Sequence, residues 1–319
     1  MFKDLSISYK GLLNVVALLT CLVSVATFFD GVSRYFELFT HFKLVYFTMS
    51  LVCMVLFLAM RCHVQVFIML FVAVIHFVSI APWYYADENR IAAENQETIK
   101  VLHSNLLSSN QNYSLLAKLL DEESPTIVVL QEVNIRWLSQ LATVLSSYKY
   151  TIEKPQRDNF GIAVFSRIPL DEANVISLGN LGVPSIEVTF SLQSESVKLI
   201  ATHPVPPTSD IYYGARNEQL TRVAKHISLH TGPKLIIGDL NVSMWSSDYV
   251  KFEALSGLTN ARKGWGVMPT WPTQLPFLMI PIDHILISEH FAVNHFKTGN
   301  DIGSDHLPLV IELSLVNDK

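Results

Sequence analysis

Cysteine is scarce in this chain of 319 residues, which contains only three. All of them, Cys21, Cys53 and Cys62, lie within or beside long apolar runs near the start of the chain. The rest of the chain has none, which excludes a disulfide framework and a zinc site of thiolate ligands there. The absence is compatible with either side of a membrane.

Two further features are missing. The chain has no G-x-G-x-x-G and no G-x-x-x-x-G-K-[ST] motif, so a dinucleotide or P-loop fold has no support. A basic surface is also missing, because residues 86–319 hold 18 of the 23 Lys and Arg but 25 of the 28 Asp and Glu. The formal charge of this part, −7, argues against a nonspecific nucleic-acid surface. A nuclease whose metal ions supply the positive field stays open.

Apolar residues, in contrast, are in excess and make up 50% of the chain. They concentrate in residues 11–29, 44–60 and 64–81, which contain no Asp, Glu, Lys or Arg. Each run is close to the length that a helix needs to cross a bilayer. The first run is too long for the apolar region of a signal peptide and lacks a small-x-small cleavage site. We therefore predict a membrane anchor at residues 1–85 with three transmembrane helices.

The orientation of this anchor depends on few charges. With three spans and the N-terminus inside, the basic residues beside the spans divide equally between the two sides. Lys3 and Lys10 precede the first span, which often dominates orientation, and so favour an inside N-terminus. We expect a multi-pass protein of the inner (plasma) membrane with its globular domain on the periplasmic side.

A polar linker at residues 86–97 is expected to join the anchor to one domain at residues 98–319. Short apolar runs predict strands at residues 98–103, 126–130, 161–165, 185–192, 197–202, 234–237, 282–288 and 309–315. Apolar residues at helical spacing predict helices at residues 113–120, after the capping Asn134, at 216–230 and at 247–255. Some strands alternate with helices and others follow one another directly, which favours a layered α/β sandwich of mixed sheets.

Polar side chains lie at the ends of these predicted strands. Asp239 and Asn241 come directly after a buried apolar run and share one face of the extended chain. An acceptor and a donor held side by side on a rigid strand end suit a phosphate and a metal-bound water. An isolated D-x-N is more often an Asx turn, so the interpretation depends on the other strand ends.

Those strand ends supply carboxylates, an amide and two imidazoles: Asn105, Glu132, His203, Asp283, Asp305 and His306. Taken singly, each has a structural interpretation as a cap, a surface ion pair, a buried core histidine or a loop turn. Glu132, however, directly follows a buried run, where a carboxylate is costly unless it is paired or bound to a cation. Together the set suits Mg²⁺, with Mn²⁺ as an alternative, better than a zinc cage.

The motifs QEV, GIAVFSR, THPVPP, GDLN, IDHILIS and GSDHLPL, in this order, resemble those of the endonuclease/exonuclease/phosphatase superfamily. THPVPP with ARNEQL, GDLNVSMWS and a TWP ahead of IDH resemble the bacterial membrane-anchored, YafD-like branch. The resemblance covers roughly residues 98–315. It implies a four-layer α/β sandwich, with two mixed sheets flanked by helices, and Mg²⁺-dependent cleavage of phosphate esters.

The resemblance also implies roles around the metal. Glu132 would be the principal metal ligand with Asn105 beside it, and Asp305 would assist the metal or the water. Asp239 would orient or deprotonate the attacking water, and Asn241 would hold a phosphate oxygen. Leucine follows two positions after Asn105, where some nucleases have a second polar ligand, which argues against a second metal.

Two imidazoles complete the implied machinery. His306, oriented by Asp283, would contact the phosphate or act as the base, and His203 is a candidate acid for the leaving oxygen. A buried carboxylate that accepts from one ring nitrogen of His306 would fix its tautomer and raise its pKa. Whether Asp239 or His306 takes the proton stays open.

Three residues near His203 are candidate substrate ligands. Arg216 and Asn217 open a predicted helix and could meet a phosphate or cap that helix. Tyr213, or its neighbour Tyr212, could take the place of the tyrosine that some superfamily members aim at phosphate, or pack in the core.

The sequence thus predicts a membrane-anchored, Mg²⁺-dependent phosphodiesterase or phosphatase. The acidic domain and the anchor favour a lipid head group or a small phosphate ester near the bilayer. Trp265, Trp271 and the apolar stretch 276–281 could line such a site or form an ordinary core edge. A nuclease and a non-catalytic membrane scaffold are the alternatives, and the sequence gives no oligomeric state.

Overall fold

A computed structural model describes residues 8–85 and 97–316. The chain divides into two compact units, Met1–Pro82 and Trp83–Lys319. The predicted linker, except for its last residue, lies outside the described residues, as do residues 317–319 at the end of the predicted domain.

The described part of the first unit is helical, with α1 (Tyr9–Ala26), α2 (Arg34–Thr40), α3 (Lys43–Ala59) and α4 (His63–Ile80). Together with adjoining 3₁₀ turns, α1 and α4 form the segments Tyr9–Val32 and His63–Trp83, both long and apolar enough to cross a membrane. The middle predicted span differs, because α2 and α3 reach that length only as a pair bent by 58°. The described residues thus contain two candidate spans, or three if the bent pair is one.

The second unit contains two six-stranded sheets. The strands of the first are β1 (Thr98–Asn105), β2 (Ile127–Gln131), β3 (Tyr150–Lys154), β4 (Ile162–Ser166), β11 (Phe291–Thr298) and β12 (Leu309–Leu315). Their order is β11-β12-β1-β2-β4-β3. The β1–β2 pair is parallel and the others are antiparallel.

The second sheet has the same mixed character. Its strands are β5 (Glu172–Ser177), β6 (Pro184–Leu192), β7 (Glu195–Thr202), β8 (Lys234–Asp239), β9 (Thr259–Asn260) and β10 (Asp283–Ile287). They are arranged as β5-β6-β7-β8-β10-β9. The β7–β8 pair is parallel, and the remaining neighbours are antiparallel.

Alternating side chains build the layers between and outside the sheets. In β1, Val101 enters an apolar cluster formed by both sheets, whereas the next residue, Leu102, packs in a cluster with helices. Those helices are α5 (Tyr113–Glu123) and α6 (Ile135–Leu145). On the second sheet, Gln219 and His226 of helix α7 (Asp210–Ser228) hydrogen-bond to Thr202 and Glu187 of the strands. Two mixed sheets flanked by helices confirm the predicted sandwich.

Several elements differ from the sequence prediction. Strands β3 and β5 have mostly exposed residues, so no apolar run marks them. Strand β11 contains an irregularity in its pairing between Val293 and His295, which interrupts the alternation. Helix α7 begins at Asp210 instead of residue 216, because Ser209 accepts a hydrogen bond from the Tyr212 backbone N–H and caps it.

Candidate active site

The polar strand ends meet at one edge of the two sheets. Strands β1 and β2 are parallel, so Asn105, the last residue of β1, lies beside the end of β2, which Glu132 follows. Strands β7 and β8 are likewise parallel and lead to His203 and Asp239. Strand β10 is antiparallel to β8 and places its first residue, Asp283, opposite Asp239.

The side chain of Asn105 links the two predicted acids. Its amide Nδ2 lies 3.2 Å from Glu132 Oε1 and 3.3 Å from Asp239 Oδ2. The second carboxylate oxygen of Glu132 accepts a hydrogen bond of 2.9 Å from the Ser108 backbone N–H. All three linked side chains belong to buried residues. The structure therefore brings together Asn105, Glu132 and Asp239, which are distant in sequence.

Two of the site residues have left-handed backbones. Glu132 has φ 58° and Asn241 has φ 52°, a region that residues other than glycine seldom adopt. At Asn241 the conformation belongs to a turn, in which the Asn241 backbone N–H donates to Asp239 Oδ1 at 2.9 Å. The Asn241 amide donates to the Pro204 carbonyl at 3.0 Å. The D-x-N motif is thus an Asx turn that is also part of the polar site.

A buried glutamine that the sequence interpretation did not single out joins the two sheets beneath these acids. Gln131, at the end of β2, donates through Nε2 to the Thr202 carbonyl at 2.8 Å. Its Oε1 accepts from the Asp239 backbone N–H at 2.9 Å. Gly238 permits this approach, because a Cβ there would collide with the Thr202 carbonyl oxygen.

Asp283 lies between two imidazoles. It accepts from His306 Nδ1 at 2.8 Å through one oxygen and contacts His103 Nε2 at 3.0 Å through the other. Burial alone would raise the pKa of Asp283, but the charge of His306 and the hydrogen bonds of both histidines hold it well below its ordinary value. Burial alone would lower the pKa of His306, yet the charges of Asp283 and Asp239 raise it to about 10.

His103 is a further residue that the sequence interpretation missed. The signal was present, because His103 stands two positions before Asn105 on a strand, and alternate strand residues point to the same side. Its position in an apolar run, VLH, concealed it.

Two imidazoles approach the same oxygen of Asp239. His203 Nε2 lies 3.4 Å and His306 Nε2 lies 3.7 Å from Asp239 Oδ2. Burial opposes protonation of His203, but the hydrogen bond and charge of Asp239 outweigh it and raise the pKa of His203. The site therefore has two candidate proton donors or acceptors on one carboxylate.

The acidic residues also fit a divalent cation. Ligand atoms of Asp239, Asp283 and His306 lie within 4.8 Å of one another. Both oxygens of Asp283 already face histidines, which is compatible with its predicted role of orienting His306. Burial raises the pKa of Glu132 despite the opposing His203 charge and hydrogen bonds, which marks a carboxylate that a cation would stabilise. The carboxylates of Glu132 and Asp239 are hard oxygen ligands of the kind that Mg²⁺ prefers. Asn105 turns its amide nitrogen to them, while its Oδ1 accepts from the Leu107 backbone N–H at 3.1 Å, and its role as a metal ligand stays a prediction.

The loop that carries Asp305 and His306 is held against the site. The Ser304 hydroxyl donates to the Asn105 carbonyl at 2.8 Å. Asp305 Oδ2 accepts from the Trp271 indole Nε1 at 3.0 Å. Asp305 is thus anchored beside His306, and its predicted role in assisting the metal or water stays a prediction.

The three predicted substrate ligands surround a different aspartate, Asp248, at the start of helix α8 (Ser247–Ser256). Tyr213 and Asn217 donate to Asp248 Oδ2 at 2.9 and 2.7 Å. Arg216 is completely buried, and its guanidinium donates to the Asn241 carbonyl at 2.8 Å. These contacts support the loop that follows β8, and a direct contact with substrate stays a prediction.

The profile of the Endonuclease/Exonuclease/phosphatase family matches residues 99–306. The chain belongs to this family. Members of the family are metal-dependent hydrolases of phosphate esters. No curated protein matches the chain in sequence.

Solved structures of low sequence identity share the fold. An endonuclease/exonuclease/phosphatase from Beutenbergia cavernae DSM 12333 has 21% identity and a TM-score of 0.56 over 69% of this chain and 72% of its own. D. rerio TDP2 complexed with a single-strand DNA product has 16% identity and a TM-score of 0.58 over 68% and 99%. The human Nocturnin catalytic domain with bound sulfate has 19% identity and a TM-score of 0.58 over 70% and 97%.

Proposed function

We propose that this family member is a membrane-anchored, Mg²⁺-dependent phosphodiesterase or phosphatase of the YafD-like branch. The observation that supports it is the convergence of Glu132, Asn105 and Asp239 with two imidazoles. In this proposal the anchor ends at residue 85, residues 86–97 form the linker, and the catalytic domain lies on the periplasmic side.

In this proposal the site residues have different roles in the attack of water on phosphorus. Bound Mg²⁺ would neutralise charge on the phosphoryl oxygens. Asp239 orients the attacking water, and its position between two imidazoles allows a proton to pass from the water to the protein. Asn241 lies next to Asp239 with its amide available for a phosphate oxygen once it releases the Pro204 carbonyl.

We assign both histidines to proton transfer or phosphate contact. Asp283 fixes the ring of His306 by accepting from Nδ1, which leaves Nε2 directed at the Asp239 carboxylate. The same assignment gives His203, which also approaches Asp239 Oδ2, the protonation of the leaving oxygen.

A substrate screen of the detergent-solubilised full chain tests this function. We expect Mg²⁺-dependent hydrolysis of a phospholipid or a small phosphate ester, loss of turnover with a chelator, and little turnover of an oligonucleotide. Mn²⁺ should replace Mg²⁺ at least in part. Preferred cleavage of the oligonucleotide would instead establish the nuclease alternative, for which the similarity to D. rerio TDP2 bound to a DNA product is the supporting observation.

Controls separate catalysis from contamination and from a scaffold role. His306→Ala should remove the measured turnover in the same preparation. Chelator-resistant turnover would contradict the metal assignment, and a wild-type chain without turnover that still binds a partner would establish the scaffold alternative. A reporter fused at Lys319 should be active on the periplasmic side, and activity only in the cytoplasm would overturn the proposed orientation.

A further inference from the structure

Residues 271–280 form an excursion from the second unit that exposes apolar side chains beside the active site. We call it the 271–280 loop. Its two ends are joined by a bridge between Trp271 and Ile280, with the Trp271 backbone N–H donating to the Ile280 carbonyl at 3.1 Å. Between these ends, Pro276–Leu278 forms a 3₁₀ turn.

The base of this loop is attached to catalytic residues. The Trp271 indole donates to Asp305, and the Thr273 backbone N–H donates to the Asp305 carbonyl at 3.0 Å. The Trp271 ring lies 6.3 Å from the His306 ring between centroids. These contacts hold the base of the loop beside Asp305 and His306.

The tip presents apolar surface without charge. Phe277 is 93% exposed, Leu275 is 54% exposed and Leu278 is 43% exposed. Residues 264–282 contain no Asp, Glu, Lys, Arg or His. A core edge would bury such side chains, and a nucleic-acid contact would need basic residues. An uncharged apolar tip suits the hydrocarbon region of a lipid instead.

A bilayer is the apolar phase that this loop would meet, because two helices of the same chain are long and apolar enough to cross one. We therefore propose that the tip of the 271–280 loop enters the acyl-chain region of a membrane and makes the site selective for phosphate esters that carry long acyl chains. This inference rests on the proposed function and narrows its substrate to a membrane lipid.

The decisive variant replaces Phe277 and Leu278 together by serine. The probe is a phospholipid in two forms with the same head group: long-chain lipid in vesicles of phosphatidylethanolamine and phosphatidylglycerol, and a water-soluble dibutanoyl analogue. Because each buried apolar side chain contributes appreciable binding energy, we expect the double variant to lose at least about ten-fold more rate on the vesicles than on the analogue. Leu229→Ser, at an apolar residue of 82% exposure, is the matched control and should change neither rate.

Equal losses on the two substrates, or no loss on either, would overturn the inference while leaving the proposed hydrolysis intact. A second measurement does not depend on activity. With Phe277→Trp in vesicles of lipids brominated on their acyl chains, tryptophan quenching should exceed that of the unaltered chain. Quenching equal to that of the unaltered chain would mean that the tip does not enter the bilayer, and would also overturn the inference.

Discussion

Asp239, the last residue of β8, and Asp248, in the first turn of α8, have contrasting surroundings. Asp248 Oδ2 accepts hydrogen bonds of 2.9 Å from Tyr213 and 2.7 Å from Asn217, with Arg216 nearby at 3.9 Å. Asp239 Oδ2 has only long contacts, between 3.3 and 3.7 Å, from Asn105 and two histidines. The first oxygen accepts two short hydrogen bonds, whereas the contacts of the second are longer and weaker.

The comparison separates a carboxylate held by short hydrogen bonds from one with longer contacts. Both clusters join carboxylate, amide and other polar residues. The Asp239 cluster differs in that it includes Glu132. The backbone of Glu132 has a left-handed conformation, and burial raises the pKa of its carboxyl group. Substitutions in the two clusters should therefore affect different measured quantities.

The largest effect is expected from Glu132→Gln. If Glu132 holds the metal, its loss removes several kcal/mol of charge stabilisation, which corresponds to a fall in kcat of about 1,000-fold or more. Asp248→Asn is the matched control and should change kcat by less than about ten-fold. The measurement is Mg²⁺-dependent hydrolysis by the solubilised chain, and similar losses in both variants would remove the distinction between the clusters.

The next largest losses of kcat are expected for the two histidines beside Asp239. His306→Ala and His203→Ala are each expected to lower kcat by about 100-fold to 10,000-fold, the usual contribution of a general acid or base. Stopped assays at saturating substrate provide the value. A variant that retains full turnover would exclude that histidine from proton transfer.

His103 should have a smaller effect, because it acts through Asp283. We expect His103→Ala to lower kcat by about 10-fold to 100-fold, as for other residues that orient a catalytic group, with KM unchanged. His103→Gln retains a donor and should recover part of the loss. A loss that glutamine does not relieve, together with a raised KM, would point to general unfolding of the site.

Tyr213 tests the Asp248 cluster, where a substitution should affect stability more than activity. Tyr213→Phe removes one hydrogen bond to Asp248 and should lower the free energy of unfolding by about 0.5–1.5 kcal/mol. Hydrolysis should change by no more than about two-fold. A KM raised about ten-fold or more would instead show that the hydroxyl contacts the substrate phosphate.

In the presence of chelator, the stability of the folded chain should also depend on pH. The pKa of folded His306, about 10, lies above the ordinary histidine value of 6.5. Protonated His306 therefore stabilises the folded state fully below about pH 6.5, and this contribution is lost as the pH rises towards about 10. The unfolding temperature should fall over that interval, and less steeply for His306→Gln. Equal slopes would contradict the raised pKa.

The strands that could be predicted from the sequence are those whose residues are buried. Strands β2, β4 and β10 consist entirely of buried residues, and their apolar runs were visible. Strands β3 and β5 lie mostly on the surface and depend on pairing with neighbours, which no local pattern reports. The bend between α2 and α3 could not be predicted either, because composition indicates the length of an apolar span and not the direction of its helices.

The site shows the same division. Motif order indicated Glu132, Asp239 and His306, since polar residues next to buried runs are conspicuous. The sharing of Asp283 by His103 and His306 joins residues far apart in the chain, and sequence spacing carries no information about it. Arg216, a candidate for phosphate because it opens a predicted helix near His203, is buried against a backbone carbonyl. Only the packing of α7 determines that position.

Gln131 has a consequence for how this scaffold can change. One carboxamide holds both the Thr202 carbonyl and the Asp239 backbone N–H, so it sets the spacing between the sheets at the point where their polar ends converge. Sliding one sheet over the other would sever both bonds at once and separate Glu132, the next residue, from Asp239. One planar group thus reinforces, at the polar edge, the packing that the apolar cluster provides between the two sheets.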